Sequence, residues 1–501
     1  MSKNVYALFQ SRFPADLTQP FIMSPDGEGL SYGELELQTS KMAGALISLG
    51  TKTGERVAVQ VEKTAEAVVL YLACLRIGAI YLPLNTAYTA DELDYFLGDA
   101  TPHIMVCSPK SLEKLTPIAE KNSVPHLLTL DTDKTGSLMR AYKEAIPVTE
   151  IVDVPGDAIA AFLYTSGTTG RSKGAMLTHD NLSSNAQVLH EYWGWREGDV
   201  LLHALPIFHV HGLFVAINCV LMNGSAMWFL PKFDAQIVMD LIPQSTVMMG
   251  VPTFYTRLLD QEEFGHDLCE NMRVFISGSA PLLEDTFTQF ADRTGMPILE
   301  RYGMTEAGMI TSNPLSGARI AGTVGYPLPG VEARLPRGTE QGEAGVLEIK
   351  GPNVFKGYWN MPEKTAEEFT DDGFFITGDI ATISNDNRIA IVGRAKDLII
   401  SGGYNVYPKE IELVIDDIDG VKETAVIGTQ HPDFGEAVVA VVICDGTKEL
   451  HEDDIKSGLK DQLARFKQPK AVIFINELPR NTMGKVQKNI LRQEYNYLFE
   501  T

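Results

Sequence analysis

The sequence predicts an α/β protein: a large N-terminal domain of parallel-type sheets with helices, a β-rich subdomain, and a small mobile α+β C-terminal domain. Three observations predict it. A chain of 501 residues is longer than one ordinary core accommodates. Short apolar runs alternate with helical periods as far as Gly322, and the texture then changes twice, after Gly322 and after Arg394. The first pattern is set between Leu30 and Asn85, where Val57 to Val61 reads as a strand and Thr64 to Gly78 follows at helical spacing, a βαβ arrangement. Further strands are expected at Ile104 to Cys107, Ala158 to Tyr164, Leu201 to Leu205, Ala226 to Leu230 and Val274 to Ser277. Each is followed by a turn and a helical pattern, so parallel sheets covered by helices are expected. Beyond Gly322, short strands such as Val346 to Ile349 and Arg388 to Val392 are separated by Gly, Pro, Asp-Asp-Gly and Asp-Asn turns. Past Gly393-Arg394, helices near Lys409 to Asp417 and His451 to Arg465, with strands near Glu423 to Ile427 and Ala437 to Ile443, make a compact last domain. The boundary is placed at 394/395, giving domains 1–394 and 395–501.

Composition narrows the function classes. Hydrophobic residues at 45% and charged residues at 21% are ordinary for a globular chain. A formal charge of -23 repels nucleic-acid backbones and anionic lipid, and no basic patch offsets it. Neither a nucleic-acid partner nor a stable membrane association is expected, and an anionic substrate has to be met by a few placed cations. Five scattered cysteines (Cys74, Cys107, Cys219, Cys269, Cys444), never in a C-x-x-C pair, suggest neither a disulfide framework nor a zinc site. Met1 to Phe13 has no apolar signal region and no Arg/Ser-rich transit character, so a soluble cytoplasmic protein is expected.

The most informative segment is Tyr164-Thr165-Ser166-Gly167-Thr168-Thr169-Gly170-Arg171-Ser172-Lys173-Gly174. Glycines let backbone N–H groups converge on an anion, hydroxyls add donors, and Arg171 and Lys173 supply charge, so the loop is a phosphate cradle. A flexible polar loop is the ordinary alternative, and the density of hydroxyls with two cations weighs against it. A Walker A loop needs Gly before its Lys and Ser or Thr after it, whereas Ser172 and Gly174 stand there, which disfavours a P-loop NTPase.

Further segments follow in order: Pro206-Ile207-Phe208-His209, Ser277-Gly278-Ser279-Ala280-Pro281, Tyr302-Gly303-Met304-Thr305-Glu306, Thr377-Gly378-Asp379, Gly393-Arg394-Ala395-Lys396-Asp397 and Pro479-Arg480-Asn481-Thr482-Met483-Gly484-Lys485. Together they resemble the motif set of the adenylate-forming superfamily, which includes acyl-CoA synthetases, free-standing adenylation domains and firefly-type luciferases. The resemblance spans essentially the whole chain and implies the adenylate-forming enzyme fold, with a large AMP-binding and acyl-binding domain. It implies ATP, Mg²⁺ and coenzyme A as the small molecules used, and ATP/AMP contacts from Thr165, Ser166, Gly167, Thr168, Thr169, Gly170 and Lys173 in the cradle. On the same resemblance Gly278, Ser279 and Ala280 pass beside the adenine and acyl group, and Tyr302 and Gly303 meet the base. Thr305 meets the α-phosphate, Glu306 holds the metal, Asp379 accepts from the ribose hydroxyls, and Arg394 contacts ribose or phosphate near the domain junction.

Lys485 is the expected catalytic residue. When a carboxylate oxygen attacks the α-phosphorus and pyrophosphate departs, charge has to be neutralised where two anions meet, and a placed ammonium does so without proton transfer. Pro479 and Gly484 fix the loop that carries it, unlike a solvated tail. One departure from the family pattern is Lys488, where Arg is common. The resemblance also implies two orientations of the small domain, one per half-reaction, with Lys396 at the hinge. Gly402 and Gly403 would then let the pantetheine arm approach closely.

For the acid, Pro252 can open a helix that places Arg257 in its second turn. A pocket-facing guanidinium needs an anion, such as the second carboxylate of a dicarboxylic acid, whereas a surface one can pair with Asp260 at i+3; spacing alone leaves both open. His203 to Phe214, Gly250 to Arg257, Glu300 to Pro314 and Pro479 to Lys488 resemble malonyl-CoA synthetases in particular. That resemblance implies Arg257, Ser277 and Met309 around the distal carboxylate and His209, also counted with Lys485 and Thr305 as catalytic, gating the pocket. The expected reaction is activation of malonate with ATP and transfer of malonyl to coenzyme A. Methylmalonate or another short acid as substrate, and an adenylation enzyme loading a carrier-protein thiol, are the alternatives.

Overall fold

The computed structural model describes residues 3–165, 172–340, 342–401, 404–432, 434–460 and 462–499. It packs as two units: one formed by 1–321, 325–332 and 350–375, the other by 322–324, 333–349 and 376–501. The expected boundary at 394/395 lies inside the second unit.

Local signals explain most elements of the first unit. The helix Ala65–Ile77 starts where the Thr64 side chain accepts from the Ala67 N–H and stops at Gly78, whose φ of 69° allows the left-handed cap. Between the strands Arg56–Gln60 and Ile80–Pro83 it makes the anticipated parallel crossover. Seven strands join in one sheet in the order 357–358, 173–178, 159–165, 80–83, 56–60, 104–107, 126–129. Ala58, Leu82, Met105 and Phe162 fill one of its faces against Leu93, Phe96 and Leu97 of the helix Ala90–Ala100. A second sheet of nine strands has the parallel run 299–304, 274–277, 247–250, 200–203, 226–229 and 20–23, with antiparallel strands at both edges.

The second unit holds a four-stranded sheet and a five-stranded one. In the latter, Val421–His431 pairs with Gly435–Cys444 along its length, and side-chain alternation sends Val426, Val438 and Ala440 to one core and Ala425, Val439 and Val441 to the other. A sheet buried on both faces explains why these strands read as continuous apolar runs.

Two elements differ from expectation. The cradle joins two antiparallel strands, Ile159–Thr165 and Lys173–Thr178, and the helix His179–Tyr192 begins only after the second. Six residues opening on Lys-Gly carry too short a pattern to be read as a strand; pairing across the loop makes them one. The helix expected over His451 to Arg465 is Glu452–Leu459, ending one residue after Gly458, a poor helix former. Among the described residues, no helix is long and apolar enough to cross a membrane.

Candidate active site

In the first unit the cradle's flanks are held on both sides. The Tyr164 hydroxyl donates to Asp99 at 2.7 Å and the Tyr95 hydroxyl to the Ser172 carbonyl at 2.9 Å, so one helix braces both ends of the loop. Ser166, Gly167, Thr168, Thr169, Gly170 and Arg171 lie outside the described residues. Lys173 is buried, its Nζ 2.8 Å from Glu368 and 4.0 Å from the centre of the Tyr358 ring.

The motif Tyr302 to Glu306 forms the end of the strand Leu299–Met304 and a turn into the antiparallel strand Gly308–Ser312. Gly303 faces Met309 across this pair, and a Cβ there would stand 2.3 Å from the Gly308 carbonyl oxygen and 2.5 Å from Met309 Cε. Only glycine fits that approach. Glu306 is buried and accepts from the Tyr358 hydroxyl at 3.1 Å and the Thr165 hydroxyl at 3.3 Å, so the acid of this motif meets the first residue of the cradle. Met309 is also buried, its backbone clamped by Asn185, which accepts from its N–H and donates to its carbonyl.

The Ser277 to Ala280 turn follows the strand Val274–Ser277. Ser279 takes a φ of 72°, rare for a residue with a side chain, and its hydroxyl lies 3.2 Å from His211 Nδ1. Gly278 makes room for Arg301, whose guanidinium carbon would be 2.5 Å from a Cβ. Sequence reasoning missed Arg301. An arginine beside a motif tyrosine reads as solvated; here it is 3% exposed, because its strand lies inside a sheet covered on both faces. Its Nε and Nη2 find no hydrogen-bond partner among the described residues, nor does the buried Ser277 hydroxyl. Burial brings the Arg301 pKa down to about 9. His211 is held well below the usual histidine range by burial and, next, by the Arg301 charge. His209 is half-buried, with Nδ1 3.4 Å from the His211 N–H.

Arg257 is where the sequence placed it, in the second turn of a helix that opens at Pro252. Its side chain is exposed, and no acid stands within ion-pair distance among the described residues, Asp260 included.

The second unit gathers a separate group. Asp379 and Arg394 are directly opposite each other in an antiparallel pair, with Arg394 Nε 2.7 Å from the buried carboxylate. Lys485 lies on a loop that Asn481 ties together: its side chain accepts from the Met483 and Lys485 N–H groups, each at 3.0 Å. Arg480 donates to the Gly484 carbonyl at 2.7 Å and pairs with Glu423, and Lys488 pairs with Glu412. The Lys485 ammonium is brought down to about 8, chiefly by burial and then by the Arg394 charge, with Asp379 opposing. Thus three residues expected to act on one nucleotide feel one another's charge. Lys396 is exposed, on the short helical turn Ala395–Asp397. Gly402 and Gly403 lie outside the described residues.

Comparison with known proteins gives a consistent set of likenesses. The family described as "AMP-binding enzyme" matches residues 11–359, and "AMP-binding enzyme C-terminal domain" matches 410–485. The mitochondrial malonate–CoA ligase ACSF3 of Mus musculus is 37% identical over 513 residues, covering 93% of this chain and 87% of that protein. The malonate–CoA ligase of Arabidopsis thaliana is 34% identical, covering 93% and 85%. Among solved structures, ATP-bound MatB from Rhodopseudomonas palustris superposes with a TM-score of 0.97 at 52% identity over 100% of both chains. A benzoate CoA ligase from Burkholderia xenovorans LB400 superposes with 0.88 at 27% identity, covering 98% and 99%.

Proposed function

The chain belongs to the AMP-binding enzyme family, and on that footing we propose that it is an ATP-dependent, AMP-forming ligase that converts malonate and coenzyme A to malonyl-CoA. A malonate carboxylate oxygen attacks the α-phosphorus and the bond to pyrophosphate breaks, leaving malonyl-adenylate. The coenzyme A sulfur then attacks the acyl carbon, AMP leaves, and the thiol proton is released.

Residue roles follow the chemistry of each position. Thr165, Ser166, Gly167, Thr168, Thr169, Gly170 and Lys173 take the polyphosphate, Thr305 the α-phosphate, and Gly278 to Ala280 with Tyr302 and Gly303 the adenine side. Asp379 and Arg394 take the ribose. Lys485 neutralises the charge that develops between carboxylate and α-phosphate. The hinge at Lys396 near the 394/395 boundary, and pantetheine passage beside Gly402 and Gly403, belong to the same proposal. Magnesium fits Glu306: a hard carboxylate oxygen donor, buried beside the cradle strand, suits an ion that takes one or two carboxylates and draws the rest of its shell from water and phosphate. Bound there, it would neutralise charge on the phosphates.

The observation that carries malonate is Arg301. A buried guanidinium without an acid among the described residues is strongly unfavourable unless an anion completes it, and the second carboxylate of a dicarboxylic acid is such an anion. Ser277 supplies a buried hydroxyl on the preceding strand, Met309 and the His209 gate bound the pocket, and Arg257 attracts the anion from its exposed helix. A monocarboxylate would leave the charge bare.

The test compares CoA thioester formation from malonate, methylmalonate, succinate, acetate and octanoate in wild type, Arg257→Ala and Arg301→Met. Malonate preference is expected, and Arg301→Met should lower kcat/KM for malonate by roughly a hundredfold or more, the scale of losing one partner of a buried charge pair. The same substitution should leave or raise the melting temperature, because it removes an uncompensated buried charge. Preference for acetate or octanoate in wild type would sink the malonate assignment.

A further inference from the structure

We propose that Glu368 is the positioning residue of the nucleotide cradle: it is the counter-ion that holds the Lys173 ammonium aimed, so that ATP meets a preset cation. The inference rests on the nucleotide-binding role given above to Lys173 and concerns a residue outside every motif in the sequence.

Four groups in the first unit form one continuous contact. Glu368 Oε1 is 2.8 Å from Lys173 Nζ; that ammonium lies 4.0 Å from the Tyr358 ring centre; and the Tyr358 hydroxyl donates to Glu306 at 3.1 Å. The cation of the cradle and the acid of the Tyr302 to Glu306 motif are thus held by the two ends of one tyrosine. Burial, then Glu306 and Glu368, push that phenol's pKa far up, so it stays a neutral donor.

The backbone fixes the distances. Gly357–Tyr358 pairs with the strand of Lys173, Tyr358 opposite Ala175, and the Trp359 N–H donates to the Gly174 carbonyl at 2.7 Å. The Tyr358 N–H donates to Thr365 Oγ1 at 2.9 Å, which ties the strand to the helix Pro362–Glu367 and sets Glu368 at its end. The Lys173 side chain is 7% exposed and Glu368 20%. A lysine ammonium sits on a flexible four-carbon stem, and a carboxylate 2.8 Å away, itself placed by the backbone, restricts the directions that ammonium can take. Lys364 lies 3.4 Å from the same Glu368 oxygen, so the carboxylate retains a cation when Lys173 turns part of its charge to phosphate.

Isothermal titration of MgATP without malonate, at pH 7.5, tests this on wild type, Glu368→Gln and Glu368→Asp. Glu368→Gln should weaken binding about tenfold, as for loss of a charge-assisted contact. Glu368→Asp, whose carboxylate is one methylene shorter, should fall between, and KM for malonate should stay unchanged in both. A pair serving packing alone predicts lower melting temperatures with wild-type ATP affinity, and that result overturns the proposal. If Glu368→Gln does not fold, unchanged affinity in Glu368→Asp overturns it equally. Wild type that binds no MgATP would instead remove the nucleotide reading on which this rests.

Discussion

The ammonium of Lys485 is the group whose chemistry can be tested most directly. Its pKa is about 8, so it is charged at neutral pH and loses its proton about two units earlier than an ordinary lysine. Since the role requires the charged form, adenylation should be flat in pH below about 8 as far as this group is concerned and fall above it. Folding stability moves the other way. The unfolded chain holds this proton up to the ordinary lysine range while the folded one releases it near 8, so this group's contribution rises with pH between those values. Lys485→Ala should slow pyrophosphate release by roughly 10²–10³-fold, the scale of one lost transition-state donor, while thioester formation from supplied malonyl-adenylate survives. Lys485→Arg should move the alkaline limb upward, and a limb that stays in place would assign it to another group. This lysine was legible because it ends a recognisable motif, Pro479 to Lys485, whose proline and glycine shape the loop that carries it. Arg301 was not, because burial of a charge depends on which strands flank it, and that is decided by residues far along the chain.

At the scale of elements, the turn between Leu299–Met304 and Gly308–Ser312 brings Met309 back over Gly303. With 2.3 Å between a would-be Cβ and the Gly308 carbonyl, Gly303→Ala has to shift backbone rather than a side-chain end. Overpacking of this kind costs about 1–3 kcal/mol, so a lower melting temperature is expected, together with a raised KM for malonate as Met309 is displaced. Wild-type values for both would show that the hairpin yields more easily than its contacts imply. The parallel strands and the helix Ala65–Ile77 were readable because periodicity, an N-cap threonine and a C-cap glycine agree there. Lys173–Thr178 was not, because it becomes a strand through its partner Ile159–Thr165 rather than through its own pattern. Function depends on this strand: Lys173 pairs with Thr165 on one side, and Ala175 and Met176 just after it pair with Tyr358 and Gly357 on the other, which is what lets Glu368 and Tyr358 hold the lysine.

At the scale of the whole molecule, the residues proposed for one reaction are divided between two packing units. Lys173, Thr305, Glu306 and Arg301 belong to the first, and Asp379, Arg394 and Lys485 to the second. The sequence made the motif order and the change of texture after Gly322 visible but not this division, since the chain returns to the first unit at 325–332 and 350–375 before entering the second for good at 376. In a reaction with two different nucleophiles, a carboxylate and then a thiol, the role proposed for Lys485 belongs to the first step, and its ammonium would have no use in the second. Residue 396 is exposed on a short helical turn between the strands Ile389–Arg394 and Ile399–Ser401, a place where backbone angles can change without unpacking a core. Proline there fixes φ and removes an N–H while leaving every proposed contact residue intact. Lys396→Pro should therefore spare one half-reaction and slow the other, read as pyrophosphate release in single turnover against thioester formation from supplied malonyl-adenylate. Equal loss of both would mean that the substitution damages the fold or that both steps use one arrangement, and in either case the hinge assignment fails; loss of thioester formation alone would make residue 396 the point at which the enzyme passes from adenylation to transfer.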